Sequence, residues 1–463
     1  MGRVVRASML LATDAAALLL AAGAAYVVWA LPVRGQPAGV YAGLAPLVFL
    51  FLLGYSRAGL YPGFGVGPVE TLRRFSYVTG FGFLVLAAFS FGFKLSPLYS
   101  RATFSIAFVF SLVLVPASRA LVSHWASRWS WWHEPVVIVG TGERAAGVIR
   151  SIRTAGLGYR PEAVVSLQPE ATGQVEGVPI AGGVECAPAL AAEGIRVAFV
   201  ETRRADPSRE RPVIDRLQRH FRHVVLLREY DDLPVEGLQV RNLGTLVGVE
   251  YTNNLLREGN RVIKRAMDIA IGAVALAVAA PIIAAAAALV RVLDGSPAFF
   301  LQDRAGLDGR RIAVSKIRTM RRGAEQQLEA HLAANPDARR EWEAKYKLTN
   351  DPRLIPVIGG MFRRYSVDEL PQLWAVLRGD MSLVGPRPFP DYHLEGFSPA
   401  FRELRRRVRP GITGLWQITV RSAGSTREQE SYDSYYIRNW SVWLDVHVLC
   451  RTIGAVLSGR GAY

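Results

Sequence analysis

Four apolar runs open the chain, roughly residues 8–31, 38–54, 75–93 and 102–122, each near the ~20 residues that a helix needs to cross a bilayer. The first is too long for a removable leader and lacks a small-residue cleavage site, so it reads as a membrane helix. Arg3 and Arg6 precede it, Arg57, Arg73 and Arg74 separate the second and third runs, and Arg119 and Arg128 follow the fourth. Basic residues favour the cytoplasmic side, so both ends of this bundle are expected there, against the weaker pull of Arg34, Lys94 and Arg101. Trp125, Trp129, Trp131 and Trp132 suit an interfacial belt where the chain leaves the lipid.

After Glu134 the pattern changes to short buried strands. Pro135 to Val139 reads as one, Gly140-Thr141-Gly142 to Gly147 opens a helix, and Ala163 to Leu167 reads as a second strand, with βα alternation to about 230. A glycine-rich turn ahead of a helix suits phosphate, yet Ser166 stands where a ribose-binding Asp or Glu is expected, which favours a tight turn alone. A fifth apolar run, Ile269 to Leu293, has Pro281 near its middle and basic residues on both sides: Arg261, Lys264 and Arg265 before, Arg291, Arg304, Arg310 and Arg311 after. A helix broken at Pro281 and dipping into one leaflet satisfies both flanks; an ordinary fifth span does not.

The pattern therefore predicts a membrane protein with an N-terminal four-helix transmembrane domain (1–130), a cytosolic α/β Rossmann-like domain (131–255) and a mainly helical C-terminal domain (256–463) that carries a re-entrant membrane helix at about 265–293.

Composition sharpens this. Hydrophobic residues make up 50% of the 463, and 55 Lys+Arg against 39 Asp+Glu leave a formal charge of +16. No zinc-finger, helix-turn-helix or RNA-binding signature accompanies the charge, which argues against nucleic acid and for anionic lipid or a phosphorylated substrate. Cys186 and Cys450 are far apart and lack metal-ligand spacing, so neither a disulfide framework nor a zinc site is implied.

The densest chemistry is Arg363-Arg364-Tyr365-Ser366-Val367-Asp368-Glu369-Leu370-Pro371-Gln372-Leu373-Trp374. One account is structural, a capping box with Ser366 as N-cap and Glu369 three residues on. The other is catalytic. Pro371 is comfortable only in a first turn, which places both carboxylates at a helix start whose positive potential would keep Asp368 ionised. An ionised aspartate can attack phosphorus while a neighbouring glutamate serves a metal, and arginines neutralise phosphate. Residue chemistry alone does not choose between the two.

The surroundings are more specific. Asp-Glu-Leu-Pro-Gln-Leu at 368–373, Ser-Leu-Val-Gly-Pro-Arg-Pro at 382–388 and Arg-Pro-Gly-Ile-Thr-Gly-Leu-Trp-Gln at 409–417 follow a Gln302-Asp303-Arg304 run and Lys316-Ile317-Arg318-Thr319-Met320 in a fixed order. This constellation resembles the bacterial polyprenyl-phosphate hexose-1-phosphate transferases, which are monotopic phosphoglycosyl transferases. The four runs, the α/β part and Tyr61-Pro62-Gly63-Phe64-Gly65 resemble the large galactose-1-phosphate-transferring type. The resemblance implies that the C-terminal domain is catalytic, with Asp368 as nucleophile on the sugar-bearing phosphate of a UDP-hexose. It implies Glu369 as its partner, Mg²⁺ as cofactor held by Glu369 and Asp368, and undecaprenyl phosphate as acceptor. Arg387 matches the phosphate-contacting arginine, with Lys316, Arg318 and Arg304 as further candidates. Localisation at the bacterial inner membrane, with catalysis on the cytoplasmic face, goes with it.

Two departures stand out: Ala280 precedes Pro281 where the family often has serine, and Asp303 replaces a glutamate. The charged run 321–350, with Glu325, Glu329, Arg339, Arg340, Glu341, Glu343, Lys345 and Lys347, reads as a solvated helical face or a flap over the site. Trp440, Trp443, Leu444, Val448 and Leu449 suit a helix at the membrane surface or one docked on protein. A non-catalytic nucleotide-sensing or scaffold protein using the Gly140–Gly147 turn is the competing reading. A nicotinamide-dependent sugar enzyme would need a Tyr-x-x-x-Lys pair that the α/β region lacks. The sequence does not separate galactose from glucose, is silent on oligomeric state and is compatible with a homodimer.

Overall fold

A computed structural model describes residues 2–92, 99–140, 142–167, 172–201, 207–227, 239–243, 246–250, 254–345, 348, 351–419 and 426–458. Lys94, Thr141 and Lys347 lie outside the described residues. The chain divides into two units, Met1–Asp231 and Asp232–Tyr463.

In the first unit, the apolar runs form helical segments over Gly2–Arg34, Ala38–Arg57, Pro68–Ser90 and Arg101–Ala126, 33, 20, 23 and 26 residues long. Each is long and apolar enough to cross a membrane. Side chains such as Leu20, Phe81 and Leu84 face outward, where water would be unfavourable and lipid is not. The interior is partly ionic. Asp14 is fully buried and accepts from Arg119 at 3.1 Å and from the Tyr61 hydroxyl at 2.5 Å. The Arg119 guanidinium also donates to the Leu60 carbonyl at 3.1 Å and lies over the rings of Tyr61 and Phe75. A buried carboxylate persists in such a setting only when paired.

The same bundle is fastened to a sheet. Arg3 pairs with Glu134 at 2.7 Å, Arg6 donates to the Trp132 carbonyl at 2.8 Å, and the Gly65 amide donates to Leu157 at 2.9 Å. Trp132 itself is buried with Leu10 and Ala126, so it belongs to this junction and not to the exposed face of an aromatic belt.

The sheet contains β1 (Glu134–Val139), β2 (Tyr159–Val165), β3 (Gln174–Val175), β4 (Val178–Gly182), β5 (Val197–Glu201) and β6 (His223–Leu227), in the order β3-β4-β2-β1-β5-β6. All neighbours are parallel except β3 and β4. Val136 to Val139 are completely buried because helices cover both faces of a central parallel strand. Gly140 has φ +150°, and a Cβ there would lie 2.8 Å from a Glu201 carboxylate oxygen. The glycine is thus required by packing, and Glu201 puts an anion beside the turn where a phosphate would need cations.

The second unit has two antiparallel hairpins, β7 (Gln239–Leu243) with β8 (Leu246–Glu250) and β9 (Phe299–Ala305) with β10 (Arg311–Ile317). A parallel pair, β11 (Ser382–Val384) and β12 (Gly411–Thr413), completes the strands among its described residues. The helix between the hairpins runs without interruption over Glu258–Asp294, 37 residues, with Pro281 inside it. The expected break at Pro281 is therefore not a gap in the helix. A proline removes one N–H bond, and the small alanines around it leave room for the ring.

The helix's first turns are built into the unit. Lys264 Nζ lies 2.7 Å from Asp445, while Asp268 accepts from the Ser382 hydroxyl at 2.8 Å and the Leu383 amide at 3.1 Å. The Tyr436 hydroxyl lies 2.7 Å from Asp445 and 2.9 Å from the Val384 carbonyl. The helix Val442–Ser458 buries Leu444 and Val448 beside Trp440, so this face docks on protein and does not lie on a membrane. The charged run forms the helices Ala324–Ala334 and Pro336–Lys345; the first has no buried residue.

Candidate active site

Hairpin β9–β10 brings Lys316 next to the core residue Ile317, which packs with Val290, Ile355, Ile358 and Phe362. The helix Ile358–Arg364 then leads through Ser366 to a single 3-10 turn, Val367–Glu369. Pro371 immediately precedes the helix Gln372–Arg378, as a proline's fixed φ allows. The paired carboxylates thus stand on a turn ahead of the helix.

Two cations converge on one oxygen. Lys316 Nζ is 2.7 Å, and an Arg387 guanidinium nitrogen 2.8 Å, from Glu369 Oε1. Arg387 is aimed from the Gly385-Pro386-Arg387-Pro388 loop that follows β11. Among the described residues, Asp368 makes no hydrogen bond or ion pair. The capping account fails on the same atoms. Ser366 has φ +53° and its side chain caps nothing, while the Glu369 carboxylate is turned to the two cations.

The electrostatics separate the neighbours. Burial works against ionisation of Glu369, but Arg387 and Lys316 outweigh it and hold the carboxyl at about 2. Burial and the adjacent Glu369 charge push Asp368 up to about 6, against Lys316, Arg363 and Arg387. Asp368 is ionised at neutral pH, but its carboxyl is raised where the helix-start argument expected support for the anion. Arg363 was noted in the sequence only as a neighbour. Its Nε donates to Thr319 at 3.1 Å, and its charge acts on Asp368. Its position five residues before Asp368, in the preceding helix, is the one signal available for it.

The other candidates are engaged elsewhere. Arg318 donates to the Pro297 carbonyl at 2.9 Å and its guanidinium is 5.7 Å from the Phe300 ring centre. Arg304 donates to the Gln302 side chain, on a strand position paired with Ile312, and Asp303 is exposed opposite Ala313. Among the described residues, no group of three His, Cys, Asp or Glu could cage a metal. Two hard carboxylates do suit Mg²⁺, which commonly takes one or two protein oxygens and completes its shell with water and substrate phosphate.

A family model described as bacterial sugar transferase matches residues 259–459. The UDP-galactose-lipid carrier transferase of Erwinia amylovora is 31% identical over 370 residues, 79% of this chain and 76% of that protein. The undecaprenyl-phosphate galactose phosphotransferase of Salmonella typhimurium is 30% identical over 370 residues, 79% of this chain and 77% of its own. The exopolysaccharide production protein ExoY of Rhizobium meliloti is 41% identical over 200 residues, which are 43% of this chain and 88% of that one. With this similarity extending over most of its length and through the segment that holds the carboxylate pair, the chain belongs to the bacterial sugar transferase family.

Proposed function

We propose that this protein transfers hexose-1-phosphate from a UDP-hexose, galactose in preference to glucose, to undecaprenyl phosphate as the first membrane step of exopolysaccharide, capsule or O-antigen assembly. The reading rests on one observation above all: Glu369 is pinned by two cations while the carboxylate of its neighbour Asp368 has no hydrogen-bond or ion-pair partner among the described residues. One carboxylate is spoken for, and the other is available to react.

The Asp368 oxygen attacks the sugar-bearing phosphorus of the UDP-hexose. A bond from phosphorus to Asp368 forms as the bond to the bridging oxygen breaks, and UMP departs with that electron pair. An oxygen of the polyprenyl phosphate then attacks the same phosphorus, and Asp368 leaves as carboxylate. Arg387 and Lys316 supply positive charge beside the phosphoryl group, with Arg387 able to present a forked contact. Mg²⁺, held by Glu369 and Asp368, would neutralise charge on the diphosphate when bound.

The catalytic part works at the cytoplasmic face of the inner membrane in this reading. For the helix Glu258–Asp294 to enter and leave by the same leaflet it bends at Pro281 without losing its continuity, a topology supported by Arg261, Lys264 and Arg265 near its start, Arg291 in its last turn and Arg304 beyond it. The preference for galactose draws support from the names of two relatives.

The test uses membranes with polyprenyl phosphate and single UDP-hexoses. UMP release with UDP-galactose, a sugar-phosphate bond on Asp368, and loss of both in Asp368→Asn are expected. Normal turnover per folded Asp368→Asn molecule removes the mechanism.

A further inference from the structure

Residues 269–290 carry no charge, whereas Arg261, Lys264, Arg265 and Asp268 all fall in the helix's first three turns. If the uncharged stretch occupies hydrocarbon, those turns stand at the level of lipid headgroups. A narrow cleft of only ≈ 30 Å³ opens to the surface there, lined by Arg261, Lys264, Asp268, Arg407, Arg409 and Tyr436 among others.

The charges in this cleft divide by depth. Inside, Lys264 is neutralised by Asp445, and Asp268 is bound by Ser382 and the Leu383 amide. Two arginines serve the fold: Arg265 donates to the Val376 and Leu377 carbonyls at 2.6 and 2.7 Å, and Arg409 to the Gly379 carbonyl at 2.8 Å. Val376 and Leu377 lie in the last turn of the helix Gln372–Arg378 and Gly379 caps it, while its other end follows the carboxylate pair. The seven residues between put the two places about 10 Å apart along the axis.

At the rim the positive charge is not matched. The Arg261 side chain makes no hydrogen bond or ion pair among the described residues, and the Arg407 side chain has only a long contact to Glu403, 3.7 Å, between side chains that are both more than half exposed. Burial first, and then the charges of Arg265 and Arg261, lower the Arg409 guanidinium below its ordinary value. Arg261 and Arg407 line the same cleft, and exposed guanidinium groups beside a lipid surface suit a phosphate oxygen.

We propose that the mouth of this cleft, rather than its narrow interior, binds the phosphodiester of an anionic phospholipid headgroup, at a site separate from the carboxylate pair, with the exposed Arg261 and Arg407 as its principal contacts.

Full-length protein in detergent is titrated with phosphatidylglycerol or phosphatidylcholine and read by native mass spectrometry, with and without inorganic phosphate. Two arginines at about 1 kcal/mol each correspond to roughly fivefold per residue. The native chain is expected to prefer phosphatidylglycerol at least about fivefold, and Arg261→Gln/Arg407→Gln to lose that preference while keeping its melting temperature and UMP release. Displacement of the lipid by inorganic phosphate at low millimolar concentration would overturn the lipid assignment in favour of free phosphate. An unchanged preference in the double variant, or none in the native chain, would overturn the site itself.

Discussion

Asp368 and Glu369 share a turn but respond to protons in opposite directions. Because the Asp368 carboxyl is raised to about 6, it should protonate first as pH falls, and UMP release should drop about tenfold per unit below that point. Glu369, held at about 2, stays charged throughout the same range. In Glu369→Gln the neighbouring negative charge is gone, so the acid limb of the residual activity should move to lower pH. In Lys316→Met a cation is lost and the limb should move higher. A pH profile of kcat/KM on each variant reads this directly. Stability carries the same sign. An aspartate whose carboxyl is raised on folding opposes the native state as pH climbs through its titration. Asp368→Asn should therefore melt slightly higher than the native chain at pH 7 and not at pH 4. A capping role predicts instead a loss of roughly 0.5–2 kcal/mol. The sequence displays both carboxylates, Lys316 and Arg387, but not that both cations turn to Glu369. That depends on two contacts spanning 53 and 18 residues, which no local pattern encodes.

Among the elements, the helix Glu258–Asp294 is legible by its run of apolar residues, and the structure differs from the expectation in carrying the helix through Pro281 without a gap. Composition reveals where a hydrogen bond is lost but not whether the surrounding turns tolerate the loss. Its orientation is open to a direct measurement: cysteines at Arg261, exposed one turn before the buried Lys264, and at Arg304 should both label from the cytoplasmic side of intact membranes, and labelling from opposite sides would mean a crossing. The buried anchor at its start was invisible in the sequence because Lys264 and Asp445 are 181 residues apart. Lys264→Met leaves Asp445 uncompensated in the interior and should cost about 3–5 kcal/mol, read by denaturant unfolding. Lys264→Met with Asp445→Leu should recover much of that loss, since a buried pair replaced by apolar groups is often near neutral. The helix Val442–Ser458 teaches the converse lesson. Its tryptophan and leucines fit lipid and protein equally well by periodicity, and packing decided for protein.

At the scale of the molecule, the carboxylate pair, its cations and the family match all fall within the second unit. A chain lacking residues 1–258 should still release UMP from UDP-hexose in membranes. The relative of which 88% corresponds to only 43% of this chain shows that proteins of about that length occur in the family. A folded, inserted truncation without turnover would place a catalytic requirement in the first unit. That unit has its own logic, set by how far its fastenings reach. Arg3 waits 131 residues for Glu134, Arg6 waits 126 for Trp132, and Asp14 waits 105 for Arg119. During translation, then, these three residues leave the ribosome more than a hundred residues ahead of the partners that hold them. A nascent chain stalled just after residue 126 would possess every apolar helix of the bundle and still be unfinished, its first arginines idle until the opening strand of the sheet has been made.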